Sequence, residues 1–576
     1  MTDPMASLEG PSSAGGLNRR DFLSYFSGIG LSGTLLPGVL WARMQEHQEI
    51  TAGSLAEAEK IAGLQFTEEQ REEMVRGLNG NLRQYDALRA IPIPNEVPPA
   101  LHFDPVLPHM PVPSLARPAR PSRAPSVRLP EDLENVAFWP VLHLAELLRS
   151  RQVTSEALTR MYLDRLKRHG PTLECVVTLT EERALRQARR ADEEMAVGRY
   201  RGPLHGIPWG AKDLLAVRGY PTTWGARPYA DQVMNTDAEV VRRLDEAGAV
   251  LVAKLTLGAL AMGDVWFGGR TRNPWDLEQG SSGSSAGSAA ATVAGLVGFA
   301  IGSETLGSIV SPCTRCGATG LRPTFGRVSR AGAMALSWSM DKLGPICRTV
   351  EDCALVLDAI HGADGTDPTA RTLPFNWDAG RPLSEIRIGY YRRAFEEGNS
   401  RTRALDLRAL EVLRGLGVAP IPVDLPGGFP VGALRIILNA EAAAAFDDLT
   451  RSGRDSLLVR QDTGAWPNIF RQARMIPAVE FIQANRVRTM VMGALESALE
   501  GVDVFMAPSS WGNQLLMTNL TGHPVVVAPS GFDEENSPAS ISFVGRLWGE
   551  SDALRVAKAW QDATDHHLTH PPLFAG

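Results

Sequence analysis

The sequence contains very little lysine. Six of its 576 residues are lysine, although lysine and arginine together number 58. An arginine keeps its proton in a protein, whereas a lysine that is removed from water loses its proton more readily. Each lysine is therefore a candidate for chemistry that needs a neutral amine, with chance as the plain alternative for most of them. The six are Lys60, Lys167, Lys212, Lys254, Lys342 and Lys558.

Cysteine is also scarce. The five cysteines are an odd number and are spread thinly through the chain, which gives no support to a disulfide framework. Cys313 and Cys316 form a C-x-x-C pair, but the sequence has no second pair at the spacing of a zinc site. We therefore predict buried structural cysteines and no metal site.

The sequence lacks both an excess of positive charge and a long apolar run. The net charge of −7 gives no support to nucleic-acid binding, which requires a basic surface. Residues 22–42 are mildly apolar but rich in glycine and serine, so they do not favour a stable membrane span. The chain is 44% hydrophobic and 21% charged, which is enough apolar material for a sizeable core.

Arg19 and Arg20 come just before this mildly apolar stretch. Paired arginines followed by a weakly hydrophobic segment are typical of a twin-arginine export signal. We predict that residues 1–42 are such a signal and that the protein is periplasmic or exported. The alternative is an ordinary N-terminal segment on a cytoplasmic protein.

Three further regions follow this segment. Residues 43–91 have helical patterning, and Thr67 and Gln70 have the spacing of a capping box. Residues 92–130 contain twelve prolines, which predicts an extended linker or an arm that lies on the surface. Residues 131–576 have the composition of one compact domain.

Helical runs alternate with short buried strands in this large domain. One helical pattern covers residues 142–168. The strand patterns cover residues 249–253, 386–390, 502–507, 524–528 and 541–544. Such alternation predicts an α/β domain whose largely parallel or mixed sheet is covered on both faces.

Residues 279–295 read QGSSGSSAGSAAATVAG and allow three interpretations. A flexible linker is excluded because the segment continues into small apolar residues with helical character, which pack closely. A phosphate-binding P-loop is excluded because its Gly-Lys-Ser/Thr ending is missing. Ser285 occupies the nucleophile's place in a formal G-x-S-x-G motif, but no buried strand precedes it and no histidine stands out as its partner. We therefore give this motif little weight.

Two other segments carry residues suited to catalysis. In GSETLGSI, residues 302–309, Gly307 lets the backbone turn tightly, and the successive N–H groups ending at Ser308 form a candidate oxyanion hole. The apolar, strand-like residues 207–211 lead into Lys212, and a desolvated lysine can act as a neutral base. A structural turn and a salt-bridged lysine are the respective alternatives.

Together and in this order, these segments resemble the amidase signature family. GPLHGIPWGAKD, residues 202–213, is similar to the family's catalytic-lysine segment. Residues 273–329 resemble its glycine- and serine-rich core, and NLTGHPVVVAPSGF, residues 519–532, resembles a closing segment. The resemblance covers residues 131–572. It implies an α/β fold with a large mixed, twisted β-sheet flanked by helices on both faces, to which this chain adds a small helical N-terminal extension.

The resemblance also implies roles for individual residues. Lys212 matches the catalytic lysine, Ser284 the bridging serine at a cis peptide bond, and Ser308 the nucleophile. The oxyanion hole is matched by the backbone N–H groups of Thr305, Leu306, Gly307 and Ser308. The implied reaction is hydrolysis of a small-molecule carboxylic acid amide through a Ser-Ser-Lys triad and an acyl-enzyme, without a metal or organic cofactor.

The sequence departs from the family pattern in places. Leu306 stands where glycine is commonest, and its side chain would make a positive φ costly. Val310 stands where an arginine is frequent. Lys254 is a rival for the catalytic role, but it lies in a segment that resembles a structural region. We interpret these departures as hints of an altered substrate.

Two other functions stay open. One is the glutamine-hydrolysing component of a tRNA-dependent amidotransferase, which shares the family fold and works with a partner. An export signal argues against it. The other is a non-catalytic binding protein on an amidase scaffold, against which the intact triad residues argue. The acyl pocket has candidates in residues 262–267 and 511–518, and a homodimer is left open.

Overall fold

The computed structural model describes residues 50–93, 100–108, 110, 112–398 and 401–575. The predicted export signal, residues 1–42, lies outside these ranges. The chain divides into two units, and the boundary between them lies between residues 79 and 80. The domain boundaries drawn from the sequence at residues 42, 91 and 130 stay predictions.

Two helices begin the described chain, α1 at Ala52–Ala62 and α2 at Glu68–Arg89. The predicted capping box is present at the start of α2. The Gln70 N–H donates to Thr67 Oγ1 at 3.2 Å, and the Thr67 N–H donates to Gln70 Oε1 at 2.9 Å. These reciprocal bonds satisfy donors that the first turn of a helix leaves free, and they fix where α2 begins.

The second unit is built on one large mixed sheet. Its 11 strands lie in the order β1-β3-β2-β8-β10-β9-β14-β15-β13-β11-β12, with β4-β5 and β6-β7 as separate pairs. The strands are β1 (Val176–Leu179), β2 (Pro208–Lys212), β3 (Val250–Leu255), β4 (Val265–Trp266), β5 (Gly269–Arg270), β6 (Arg272–Asn273), β7 (Asp276–Gly280), β8 (Phe299–Glu304), β9 (Thr319–Arg322), β10 (Lys342–Cys347), β11 (Ile388–Tyr391), β12 (Ile421–Val423), β13 (Val504–Pro508), β14 (Val525–Phe532) and β15 (Pro538–Gly545).

The helices of this unit pack against the sheet or against one another. They are α3 (Val141–Arg149), α4 (Ser155–Leu173), α5 (Glu181–Ala196), α6 (Glu239–Glu246), α7 (Ala286–Val293), α8 (Val310–Cys316), α9 (Val350–Ile360), α10 (Arg392–Glu397), α11 (Arg403–Gly415), α12 (Arg435–Ala445), α13 (Asp447–Arg451), α14 (Trp466–Ala473), α15 (Ala478–Ala498), α16 (Gln514–Leu520) and α17 (Glu550–Asp562). In the part of the chain that the structure describes, no helix combines the length and the hydropathy needed to span a membrane.

The central strands are buried along their whole length. Every residue of β2, β3, β8 and β10 is buried. Successive side chains of a strand point to opposite faces, so both faces of the sheet are covered here. β2 pairs in parallel with β3 on one side and with β8 on the other, whereas β8 and β10 are antiparallel. The predicted mixed, doubly covered α/β sheet is confirmed.

The predicted strands are confirmed within a few residues of their bounds, and the helical pattern over residues 142–168 is confirmed but is interrupted. Two helices stand there, α3 and α4, separated by a turn in which Arg151 has a φ of 57°. The Thr154 hydroxyl accepts the Ala157 N–H at 3.1 Å and caps α4. The spacing of apolar residues continues across the turn because both helices pack on the same core. The sequence pattern therefore does not show where the first helix ends.

The described part of the proline-rich region lies against the large domain as an arm. The Arg120 N–H donates to the Trp377 carbonyl at 2.7 Å, and the Ser122 N–H donates to Glu351 Oε1 at 2.5 Å. Phe103 is buried and packs edge-on against Phe325, with ring centroids 4.9 Å apart. Of the two predicted forms, the structure favours the surface arm over a free linker.

Candidate active site

Lys212 is the last residue of β2, which lies between β3 and β8 in the sheet. Its Nζ is 2.8 Å from Ser284 Oγ, 2.8 Å from Ser303 Oγ and 3.0 Å from Ser285 Oγ. Among the described residues, no carboxylate lies within salt-bridge distance of this fully buried amine. Because burial disfavours the charged form, the pKa of Lys212 falls well below its ordinary value, against the weaker pull of more distant carboxylates.

Lys254, the rival lysine, has a different environment. Its Nζ lies 2.6 Å from Asp213 Oδ1, and both side chains are fully buried. It also donates to the Thr222 hydroxyl at 2.9 Å. A lysine held by a buried carboxylate is suited to a structural ion pair. The contrast with Lys212, which faces only hydroxyl and carbonyl oxygens, favours Lys212 as the base.

The serine-rich segment passes close to this lysine because its residues are small. The Gly283–Ser284 peptide bond is cis, as the resemblance implies. A Cβ added to Gly283 would lie 1.9 Å from the Gly263 carbonyl oxygen, and one on Gly287 would lie 2.5 Å from the Cys175 carbonyl oxygen. No side chain fits at either glycine without a backbone shift. This close packing is a second reason to exclude a flexible linker.

Ser284 and Ser285 both reach Lys212, but their hydroxyl protons are used differently. The Ser285 hydroxyl donates to the Ser303 carbonyl at 3.1 Å and accepts the Ser303 N–H at 3.1 Å. Its proton is therefore already committed to the backbone. Within the described residues, the hydrogen bonds of Ser284 Oγ include no partner other than Lys212. Of the two, Ser284 has the hydroxyl that is free to exchange a proton with the amine.

Ser308 follows a tight turn at the end of β8. Gly307 takes a φ of 82°, whereas Leu306 is not among the residues with positive φ, so its side chain causes no backbone strain there. The N–H groups of Leu306, Gly307 and Ser308 donate to no acceptor in the described parts of the chain. Three free donors on one turn suit the binding of an oxyanion.

The turn also lies against the serine-rich segment. The Ser285 N–H donates to the Ser308 carbonyl at 3.1 Å, which brings the two predicted catalytic segments together. No hydrogen bond of the described residues joins the hydroxyls of Ser284 and Ser308. The structure thus places Lys212, Ser284 and the Ser308 turn in one site, with a direct side-chain link between Lys212 and Ser284.

Glu304 anchors this turn, and the sequence interpretation missed it. Its Oε2 accepts the N–H groups of Ile309 and Val310 at 2.8 and 2.9 Å. Its Oε1 accepts Arg322 Nη1 at 2.7 Å and Asn519 Nδ2 at 2.8 Å. Burial raises the pKa of Glu304, but the charge of Arg322 and these hydrogen bonds outweigh burial and lower the pKa to about 2. The sequence signal that could have identified this residue is a glutamate directly before the Thr-Leu-Gly-Ser turn.

A cavity opens beside the turn and is lined by Ser303 and Thr305. Its walls come from the arm around residue 102, from residues 330–343 and from α12 and α15. Neither of the segments proposed from the sequence for the acyl pocket, 262–267 and 511–518, contributes to this lining. Those segments were selected for their apolar composition, which does not distinguish the wall of a cavity from ordinary core packing.

The cysteines are buried, as predicted. All five are free and buried. Cys313 and Cys316 lie in α8, and burial raises the pKa of both thiols. Over the described residues, no group of histidine, cysteine and acidic side chains is arranged to hold a metal ion.

Comparisons with known proteins show the family to which this chain belongs. The family model described as Amidase matches residues 157–511. A glutamyl-tRNA(Gln) amidotransferase component from Moorella thermoacetica is 35% identical over 475 residues, covering 75% of this chain and 97% of that protein. Its counterpart in Azoarcus sp. (strain BH72) is 35% identical over 482 residues, covering 75% and 99%.

A solved structure is similar as well. The peptide amidase from Stenotrophomonas maltophilia superposes with a TM-score of 0.65 at 29% sequence identity, covering 74% of this chain and 97% of that one. The region that the family model matches contains the strand that ends on Lys212, the serine-rich segment and the Ser308 turn. This chain is a member of the amidase signature family.

Proposed function

We propose that the protein hydrolyses a carboxylic acid amide through a triad of Lys212, Ser284 and Ser308. The observation that carries this proposal is the buried Lys212 amine, which lies 2.8 Å from Ser284 Oγ without a carboxylate partner among the described residues. An uncharged amine in that position can accept a proton, whereas a salt-bridged one is held in its charged form.

The reaction proceeds in two steps. Ser284 passes its proton to Lys212 and takes one from Ser308, whose oxygen attacks the amide carbonyl. The N–H groups of the turn at residues 306–308 stabilise the resulting oxyanion, each donor being worth roughly 10²–10³ in rate. The C–N bond breaks, the same proton path delivers a proton to the departing amine, and the acyl group stays on Ser308. Water then hydrolyses the ester and releases the carboxylic acid.

Lys212→Arg tests the role of the base. Arginine keeps its proton, so we expect kcat/KM for an amide to fall by roughly 10³-fold or more at pH 7. In the wild type, kcat/KM falls as the pH is lowered through the pKa of Lys212, because a protonated amine cannot accept the serine proton. A pH–rate profile measures both effects. Lys167→Arg, an exposed lysine paired with Glu181, is the matched control and leaves the profile unchanged.

A second candidate function is favoured by the sequence comparisons. Relatives that are 35% identical over nearly their full length are components of a glutamyl-tRNA(Gln) amidotransferase. If this chain has that role, the purified protein releases ammonia from free glutamine and co-purifies with a partner protein. Enzymatic ammonia detection and affinity purification from the native host measure these two outcomes. Absence of both would remove this candidate.

Export is a further part of the proposal. Arg19 and Arg20 carry it, and they lie outside the described residues. Replacing both by lysine should retain the full-length protein in the cytoplasm, and cell fractionation measures this. Equal distribution of the wild type and the double variant would contradict a twin-arginine signal.

A further inference from the structure

The cavity beside the Ser308 turn has a chemical character that limits what it binds. Its volume is about 720 Å³, within the range of sites for substrates of drug-like size. Apolar side chains form most of its wall, and several of them are large. They include Leu101, Phe103, Met334, Leu336, Trp338 and Phe481. Such a wall gains binding energy by removing an apolar group from water.

Among the described residues, the lining of this cavity holds one arginine, and that arginine is already neutralised. Arg330 Nε lies 3.1 Å from Asp367 Oδ2, and its backbone N–H donates to the same oxygen at 2.9 Å. Its Nη1 donates to the Trp338 carbonyl at 2.8 Å. The described lining contains no lysine. A substrate carboxylate would therefore find no unpaired arginine or lysine in this part of the structure.

The other two carboxylates of the lining are also satisfied by protein donors. Asp341 accepts the Thr305 hydroxyl at 2.5 Å and the Leu336 N–H at 2.8 Å. Glu441 accepts the hydroxyls of Ser337 and Ser339 at 2.5 and 2.7 Å. With Asp367, the described lining has three carboxylates and one arginine, so it offers an anion no unpaired cationic partner. Free glutamine would bring its own carboxylate into this lining.

The arm forms part of the cavity wall. It lies outside the region that the family model matches, because that region starts at residue 157. Phe103 fixes the arm, since its ring contacts both Phe325 and the guanidinium of Arg488, whose carbon is 3.6 Å from the ring centroid. Leu101, two residues earlier, lines the cavity and is 50% exposed. A half-exposed leucine at a cavity wall is available for contact with a bound ligand.

We propose that the substrate is an uncharged amide with a bulky apolar acyl group, which Leu101 of the arm and Trp338 hold during turnover. This rests on the proposed amide hydrolysis. The acyl group is assigned to the cavity because it stays on the enzyme through both chemical steps, whereas the amine leaves after the first. Trp338 is 50% exposed and lines the same cavity.

Three 4-nitroanilides with one common leaving group test the proposal. Their acyl groups are γ-glutamyl, pentanoyl, which has the same chain length without the charges, and 5-phenylpentanoyl. We expect kcat/KM to rise by roughly 10-fold or more at each step in that order. The release of 4-nitroaniline by the full-length protein is followed by absorbance. A γ-glutamyl anilide that is cleaved fastest would overturn the proposal.

Variants of the arm test the role of Leu101. Leu101→Asp should lower kcat/KM for the 5-phenylpentanoyl anilide by roughly 10-fold and for the pentanoyl anilide by much less. Leu115→Asp is the matched control, because Leu115 lies in the same arm, is 64% exposed and does not line the cavity. Trp338→Ala supplies a second variant should Leu101→Asp fold poorly. Equal losses for both anilides would contradict selective contact with the phenyl group.

Labelling by a fluorophosphonate probe distinguishes an error in the proposed substrate class from an error in the proposed hydrolase function. If the probe labels Ser308 but none of the three anilides is cleaved, the substrate class is wrong and the proposed nucleophile stands. If the protein neither reacts with the probe nor cleaves any anilide, the proposed hydrolase function itself fails.

Discussion

Ser308→Ala should abolish acylation and reduce kcat by about 10⁴-fold or more, because it removes the oxygen that forms the ester in the proposed mechanism. A fluorophosphonate probe should label the wild type on Ser308 and leave the variant unlabelled, and mass spectrometry of the labelled peptide checks both. The fold should be unaffected, since the removed hydroxyl forms none of the hydrogen bonds found among the described residues.

Two neighbouring serines provide the comparison for this variant. Ser284→Ala removes the hydroxyl that is proposed to exchange its proton with Lys212, and it should also reduce acylation severely. Ser285→Ala should reduce it less, because the Ser285 proton is committed to the Ser303 carbonyl. If Ser285→Ala lost labelling completely while Ser308→Ala kept it, the formal G-x-S-x-G motif would hold the nucleophile after all.

Glu304→Gln should destabilise the protein by about 3–5 kcal/mol, because it leaves the fully buried Arg322 without its counter-charge. The amide also places a donor among groups that donate, so the hydrogen bonds to the N–H groups of Ile309 and Val310 weaken and Ser308 is misplaced. We therefore expect a loss of kcat in the fraction that stays folded. Denaturant unfolding and single-turnover kinetics measure the two effects.

The exposed pair of Arg393 and Glu397 gives the matched control. Both side chains are about half exposed, so Glu397→Gln should change the free energy of unfolding by less than about 1 kcal/mol. Equal effects of the two substitutions would contradict the role assigned to Glu304. The pH dependence follows the same logic. Since the folded-state pKa of Glu304 is about 2, its stabilising contribution is present above its usual value of 4.5 and is lost as the pH falls towards 2.

Much of the fold and of the candidate site could be predicted from the sequence. Short, largely apolar runs such as residues 249–253 predict buried strands locally, and the small-residue segment around Ser284 has a pattern that few other functions require. The positions of Lys212, Ser284 and Ser308 in one site followed from that pattern through the family resemblance. Their catalytic roles stay proposals until the variants are measured.

Other parts of the site depend on contacts between distant segments. Glu304 meets Asn519 only because the sheet order and the position of α16 bring residues 215 positions apart together. The two halves of the helical pattern over residues 142–168 also looked continuous, because periodicity reports which face is buried and does not report a change of direction. The sequence also did not identify the cavity wall, because part of this wall comes from the arm, which lies outside the main domain in the sequence.

The burial of every cysteine has a practical consequence for spectroscopy. Because all five thiols are enclosed in the folded protein, a maleimide dye should react only with a thiol that is introduced at the surface. Leu101→Cys would place one environment-sensitive fluorophore at the rim of the cavity, and Leu115→Cys would place the same dye on the arm away from it. A change in emission at the first site alone would report the arrival of a ligand in real time, without any turnover.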